Sequence, residues 1–207
     1  MNLNIKVCGM RDPKNIRDIA LLKPDYMGFI FYSSSPRYVG VDFEIESDLS
    51  SEIKRVGVFV NETRDSILKT VKKYKLDFIQ LHGSETSEFC KEIKDTGLSV
   101  IKTFGVDRTF DFNNLKPYKK NCDYFLFDAK TLIHGGSGKK FDWNILSMYD
   151  QEKPVFLSGG ITSGDTELIH ALQKMNIHAI DINSKFEITP AIKDVDRVRN
   201  FIKKIRT

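Results

Sequence analysis

The sequence predicts an α/β chain folded as a single-domain (β/α)8 TIM barrel spanning residues 1–207. Three observations predict it. Eight short apolar runs recur along the chain, about eight helix-forming stretches lie between them, and the repeat averages about 26 residues per unit, near the low end for such a barrel. The runs are near-continuous in hydrophobicity and do not alternate, which is the pattern of strands buried on both faces of a parallel sheet. An open doubly wound sheet is the alternative, but it normally has five or six strands and leaves some runs unassigned. No linker or low-complexity stretch marks a domain boundary.

In chain order, residues 3–8 form the first run, after which Asp12 caps a helix that has Pro13 in its first turn. Ile16, Ile19 and Ala20 share one face of that helix, and Pro24 stops it. Runs 26–31 and 56–60 follow, the latter leading into Ile67, Leu68 and Val71 at helical spacing. After runs 78–81 and 99–103 comes the weakest unit, where Pro117 limits the helix of residues 110–118. Run 124–128 leads to Asp142, read as an N-cap with Phe141 stapled to Leu146. Runs 155–157 and 179–182 complete the eight, and Val195, Val198, Ile202 and Ile205 form the apolar stripe of the last helix.

Composition removes several functions. With 41% hydrophobic and 29% charged residues the chain is not disordered in bulk. Thirty-two Lys and Arg against 28 Asp and Glu give +4, spread without a basic block, so no nucleic-acid partner is expected. Cys8, Cys90 and Cys122 are odd in number and far apart, which suits a reducing cytosol better than a disulfide framework or a thiolate zinc site. Neither an apolar leader nor a run near the roughly 18 apolar residues of a membrane span occurs, so the expected location is cytoplasmic, with no membrane partner. His82, His134, His170 and His178 lack metal-ligand spacing, and no metal site is expected.

A barrel puts its chemistry at the C-terminal ends of its strands. The residues there are Cys8, the loop 33–37 with Arg37, Asn61, His82, Asp128, the glycine-rich loop 135–138, Ser158 with Gly159 and Gly160, and Asp181 with Asn183 and Ser184. Glycine-rich loops after strands six and seven, beside Asn183 and Ser184, suit a phosphate held by backbone N–H groups, although each glycine pair alone also reads as a tight turn. Cys8 and Asp128 end strands on the same rim and suit proton transfer. Their plainer readings are an inert buried thiol and a loop cap. A free cysteine is only about 3% thiolate at pH 7, so it needs help from positive charge to act as a base. An aspartic acid is protonated about once in a thousand at that pH, and raising its pKa by about three units costs about 4 kcal/mol. Burial beside Phe127 and Ala129 is expected to raise that of Asp128. Arg37, in a loop stiffened by Pro36, has the fork to bind a carboxylate, or is simply exposed.

Residues 6–10 (KVCGM), 28–31 (GFIF), 35–39 (SPRYV), 56–61 (VGVFVN) and 80–83 (QLHG) occur in order, followed by 135–138 (GGSG), 141–143 (FDW), 158–160 (SGG) and 181–184 (DINS). Over its whole length the chain resembles the phosphoribosylanthranilate isomerases of tryptophan biosynthesis, which are single-domain (β/α)8 enzymes. The resemblance implies an Amadori rearrangement of N-(5-phosphoribosyl)anthranilate without cofactor or metal. It implies Cys8 as general base, Asp128 as general acid, and Arg37 on the anthranilate carboxylate. His82 and Asp181 would line the sugar, and Gly136, Ser137, Gly159, Gly160, Asn183 and Ser184 would hold the phosphate. A monomer is the expected state. The chain departs from the family pattern with Lys185 after Ser184 where Gly is usual, Ser158 where Ala is common, and Pro190-Ala191 for Pro-Gly. A related histidine-pathway isomerase has aspartate where Cys8 stands, and a phosphate-sensing barrel without turnover is the rival from another class.

Overall fold

The computed structural model describes residues 3–45, 49–130, 140–172 and 174–207. Eight parallel strands close into a barrel in sequence order: β1 (Asn4–Cys8), β2 (Tyr26–Ile30), β3 (Lys54–Phe59), β4 (Phe78–Leu81), β5 (Ser99–Val106), β6 (Tyr124–Ala129), β7 (Val155–Leu157) and β8 (Ile177–Ile182). Pairing of Lys6 with Asp181 on one side and with Tyr26 on the other closes the ring at β1. Every apolar run of the sequence is a barrel strand.

The outer layer is less regular than the sequence suggests. Five α-helices stand among the described residues: α1 (Pro13–Ala20), α2 (Arg64–Tyr74), α3 (Ser87–Lys94), α4 (Thr166–Ala171) and α5 (Val195–Arg206). Side chains of Asp12, Thr63, Thr86 and Asp194 cap α1, α2, α3 and α5 by accepting a backbone N–H three residues on. About eight helices were expected, and the difference has local causes. Phe112–Tyr118 winds as a 3₁₀ turn with Pro117 inside it, and Trp143–Met148, capped by Asp142 as expected, is 3₁₀ as well. Between β2 and β3 the described residues form no helix, because Ser33-Ser34-Ser35-Pro36 and Gly40 favour turns. The chain instead doubles back, Val39 N donating to Ile30 O at 3.0 Å. Phe43 takes the vacant place, its ring 5.5 Å from Phe29 and 5.6 Å from Tyr74.

Aromatic rings fill the barrel floor. Tyr26 meets Phe78 and Phe156 edge-on at 5.3 and 5.2 Å, and Tyr124 meets Phe156 at 5.4 Å. In the β7–β8 pairing Val155 faces Ile177 while Phe156 faces Ala179. The extra residue, His178, turns its ring into the floor and reaches the Tyr26 hydroxyl at 2.6 Å. Above this apolar plug, alternate residues of the strands point into the lumen and become polar. A hairpin, β9 (Glu187–Thr189) with β10 (Ile192–Lys193), follows β8.

Candidate active site

Cys8, Arg37, His82, Asp128, Ser158, Gly159, Gly160, Asp181, Asn183 and Ser184 line one cavity at the C-terminal ends of the strands. Of the site residues expected from sequence, Gly136 and Ser137 lie outside the described residues. The thiol from β1 and the carboxyl from β6 therefore open onto the same space.

Cys8 is 4% exposed. Burial pushes its thiol pKa up, the Lys6 ammonium pulls it down, and Asp181 pushes it up again. Gly28 on β2 gives the sulfur room, since a Cβ there would sit 2.6 Å from Sγ. Burial raises the Asp128 carboxyl to about 6, in the direction expected, opposed by a hydrogen bond from the Ala129 N–H. Gly159 approaches the same strand end closely: its φ is +90°, and a Cβ would lie 2.8 Å from Ala129 N.

Lys6, two residues before Cys8 on the same face of β1, is wholly buried. Its Nζ donates to Asp181 Oδ1 at 3.0 Å and to Gln80 Oε1 at 2.8 Å. An ammonium only donates, so it fixes the Gln80 amide with oxygen toward itself and nitrogen toward His82 Nδ1, 2.9 Å away. Nδ1 then accepts, the imidazole proton sits on Nε2, and that N–H faces Asp128 Oδ2 across 3.6 Å.

Arg37 is buried rather than solvent-exposed, and its first partner is internal. Nε and Nη2 fork onto Glu187 at 2.7 to 3.0 Å. Glu187 also accepts from Lys193 Nζ at 2.7 Å, and the same ammonium donates to Asn183 Oδ1 at 2.7 Å. Burial works against the Glu187 carboxylate, yet its two cationic partners hold its pKa below the usual range. Two cations share one anion here, so the cluster keeps a net positive charge next to the loop carrying Asn183 and Ser184.

Sequence reasoning missed Lys6, Gln80, Glu187 and Lys193 as site residues. The available signal for Lys6 was a cation in the middle of a strand otherwise buried on both faces, where charge needs a partner. Glu187 and Lys193 meet through the β9–β10 hairpin, which the apolar pattern does not show.

The family model for N-(5'phosphoribosyl)anthranilate (PRA) isomerase matches residues 5–204. The N-(5'-phosphoribosyl)anthranilate isomerase of Parabacteroides distasonis is 45% identical over 204 residues, covering 97% of this chain and 92% of the relative. The crystal structure of phosphoribosyl anthranilate isomerase from Thermotoga maritima superposes with a TM-score of 0.82 at 31% identity, over 98% of each chain. A phosphoribosyl anthranilate isomerase structure in complex with reduced 1-(o-carboxyphenylamino)-1-deoxyribulose 5-phosphate gives 0.78 at 28% identity, again over 98% of each. Matched along nearly its whole length in sequence and in barrel, the chain belongs to the N-(5'-phosphoribosyl)anthranilate isomerase family.

Proposed function

We propose that the protein catalyses the Amadori rearrangement of N-(5-phosphoribosyl)anthranilate to 1-(2-carboxyphenylamino)-1-deoxyribulose 5-phosphate in tryptophan biosynthesis, with Cys8 as general base and Asp128 as general acid. The observation that carries the reading is the single cavity onto which a buried thiol, a carboxyl with raised pKa and the β7–β8 phosphate loops all open.

Asp128, a carboxyl able to hold its proton near neutrality, gives that proton to the furanose ring oxygen as the C1–O bond breaks and the anilino nitrogen forms C1=N. The resulting iminium acidifies the C2 proton and favours a nearby anion. The Cys8 thiolate takes that proton, its C–H electron pair becoming C1=C2 and the C=N pair returning to nitrogen. The enol then tautomerises to the C2 ketone as C1 gains a proton. Arg37, held from behind by Glu187, offers its remaining amino group to the anthranilate carboxylate. Gly159, Gly160, Asn183 and Ser184, with Gly136 and Ser137 by resemblance, hold the phosphate. Lys185, exposed at the same mouth, adds positive charge where the family usually has glycine. His82 and Asp181 flank the sugar.

Freshly formed phosphoribosylanthranilate, whose fluorescence reports its loss, tests the reading. The wild type should consume it, while Cys8→Ala and Asp128→Asn should lose at least 100-fold in kcat, on the order of what general catalysts contribute. A variant as active as wild type removes that residue from the mechanism. A folded wild type that binds the phosphosugar without turnover replaces the reading with the sensor.

A further inference from the structure

Lys6 is the least expected group in the barrel. It is a fully buried ammonium behind the cavity wall, bonded to Gln80 and Asp181, which line the cavity, and no proton transfer in the mechanism above uses it. Taking such a charge out of water is costly unless it is paired. Asp181 supplies the pair, and Gln80 fixes the direction of the head group. A structural ion pair is complete at that point, yet the lysine does more. It projects to the same side of β1 as Cys8, and the Asp181 carboxylate that holds it lines the same cavity as the thiol, so its charge acts on the sulfur and pulls the thiol pKa down against burial.

We propose that Lys6 is a positioning residue for the reaction, the fixed counter-ion of the Cys8 thiolate, held against the sulfur by Asp181 and Gln80. The inference rests on Cys8 serving as the base. It answers the problem that burial sets: a thiol surrounded by the lumen stays protonated unless a positive charge is already in place, because the substrate iminium exists only after ring opening. The charged groups acting on Cys8 are Lys6 on its own strand, Asp181 from β8 and Lys193 from β10, while Gly28 of β2 packs closely on the sulfur. Asp181 and the thiolate compete for one ammonium, and burial keeps the thiol pKa above its ordinary value, so the resting sulfur holds its proton and Lys6 lowers the cost of giving it up. Once the iminium forms, the thiolate lies between two cations, and it loses one of them as it takes the C2 proton. The same ammonium orients the Gln80 amide, which fixes the His82 tautomer facing Asp128, so one buried charge addresses both ends of the proton path.

Alkylation of Cys8 by iodoacetamide, followed across pH by peptide mass spectrometry that separates it from Cys90 and Cys122, needs no substrate. Lys6→Met should move the inflection to higher pH and slow alkylation at pH 7 by about 10- to 100-fold, since an opposite charge within about 4–6 Å shifts a pKa by roughly 1–3 units. In turnover, kcat should fall by a similar factor with KM nearly unchanged, and the descending limb of kcat/KM, set by the thiol because it titrates above Asp128, should move to higher pH as well. If Lys6→Met does not fold, Lys6→Gln, which keeps a donor for Asp181, is expected to give the same shift. A folded neutral variant whose Cys8 titration overlays that of the wild type overturns the inference. Full activity in Cys8→Ala would instead overturn the base assignment while leaving the alkylation shift in place, so the two failures are distinguishable.

Discussion

At the scale of single residues, Asp128 makes a prediction with a sign. Its carboxyl titrates near 6 in the folded chain against an ordinary 3.8, so between those values the native state binds more protons than the unfolded chain. Stability therefore falls as pH rises through that window. Asp128→Asn should remove the penalty, stabilising the protein at pH 7 by up to about 3 kcal/mol and hardly at all at pH 3.5, as read from denaturant midpoints at the two pH values. The catalytic counterpart is that wild-type kcat/KM climbs to about pH 6 and levels off above it, because each further loss of the Asp128 proton is matched by a gain of Cys8 thiolate, whose thiol is held above its ordinary pKa. Cys8, His82, Asp128 and Asp181 were legible in the sequence because each ends, or nearly ends, an apolar run whose direction the barrel dictates. Lys6 and Gln80 were not legible, since a polar residue inside a run looks like noise until the lumen is known to hold its partner 74 or 175 positions away. Arg37 was placed at the right mouth, but its tie to Glu187 spans 150 positions and leaves no local mark.

At the scale of elements, α1, α2 and α5 appear where the sequence places them, α3 was not singled out there, and β5 and β6 run on past the apolar stretches that announced them. Helix type was less legible than helix position. Asp111 and Asp142 cap 3₁₀ turns as readily as α-helices, because the cap satisfies the first N–H groups whatever the winding that follows. The β9–β10 hairpin carries the cost of a departure from the family pattern. Ala191, where glycine is usual, sits at φ +69° while its N–H donates to Glu187 Oε1 at 3.1 Å. A left-handed backbone costs a Cβ-bearing residue roughly 1–2 kcal/mol. Ala191→Gly should accordingly raise stability by about 1 kcal/mol, offset in part by the greater freedom of glycine in the unfolded chain. An increase in Tm with unaltered KM is the expected outcome, and a fall in Tm would show that the turn holds no strain.

At the scale of the molecule, the two ends of the barrel divide the work: rings that exclude water at the floor, charges that meet an anion at the mouth. This division was legible, because parallel strands with adjacent glycine-rich ends have few other solutions. Among the described residues the exposed large apolar side chains are Leu21, Val41, Met148, Leu168 and Ile188. If none of them seats a second copy, sedimentation equilibrium at micromolar concentration should return the mass of one chain, 23.8 kDa. Mass near twice that value would mean that a face carrying one of these residues is an interface. The lack of a helix among the described residues between β2 and β3 has a further consequence. Elsewhere an α-helix or a 3₁₀ turn lies along the outside of the strands like a stave, whereas between β2 and β3 the described chain offers turns and the ring of Phe43. Deuterium exchanged into the native protein should therefore enter through that seam, labelling the amides of β2 and β3 hours before those of β5 and β6, and marking the side from which the barrel first comes apart.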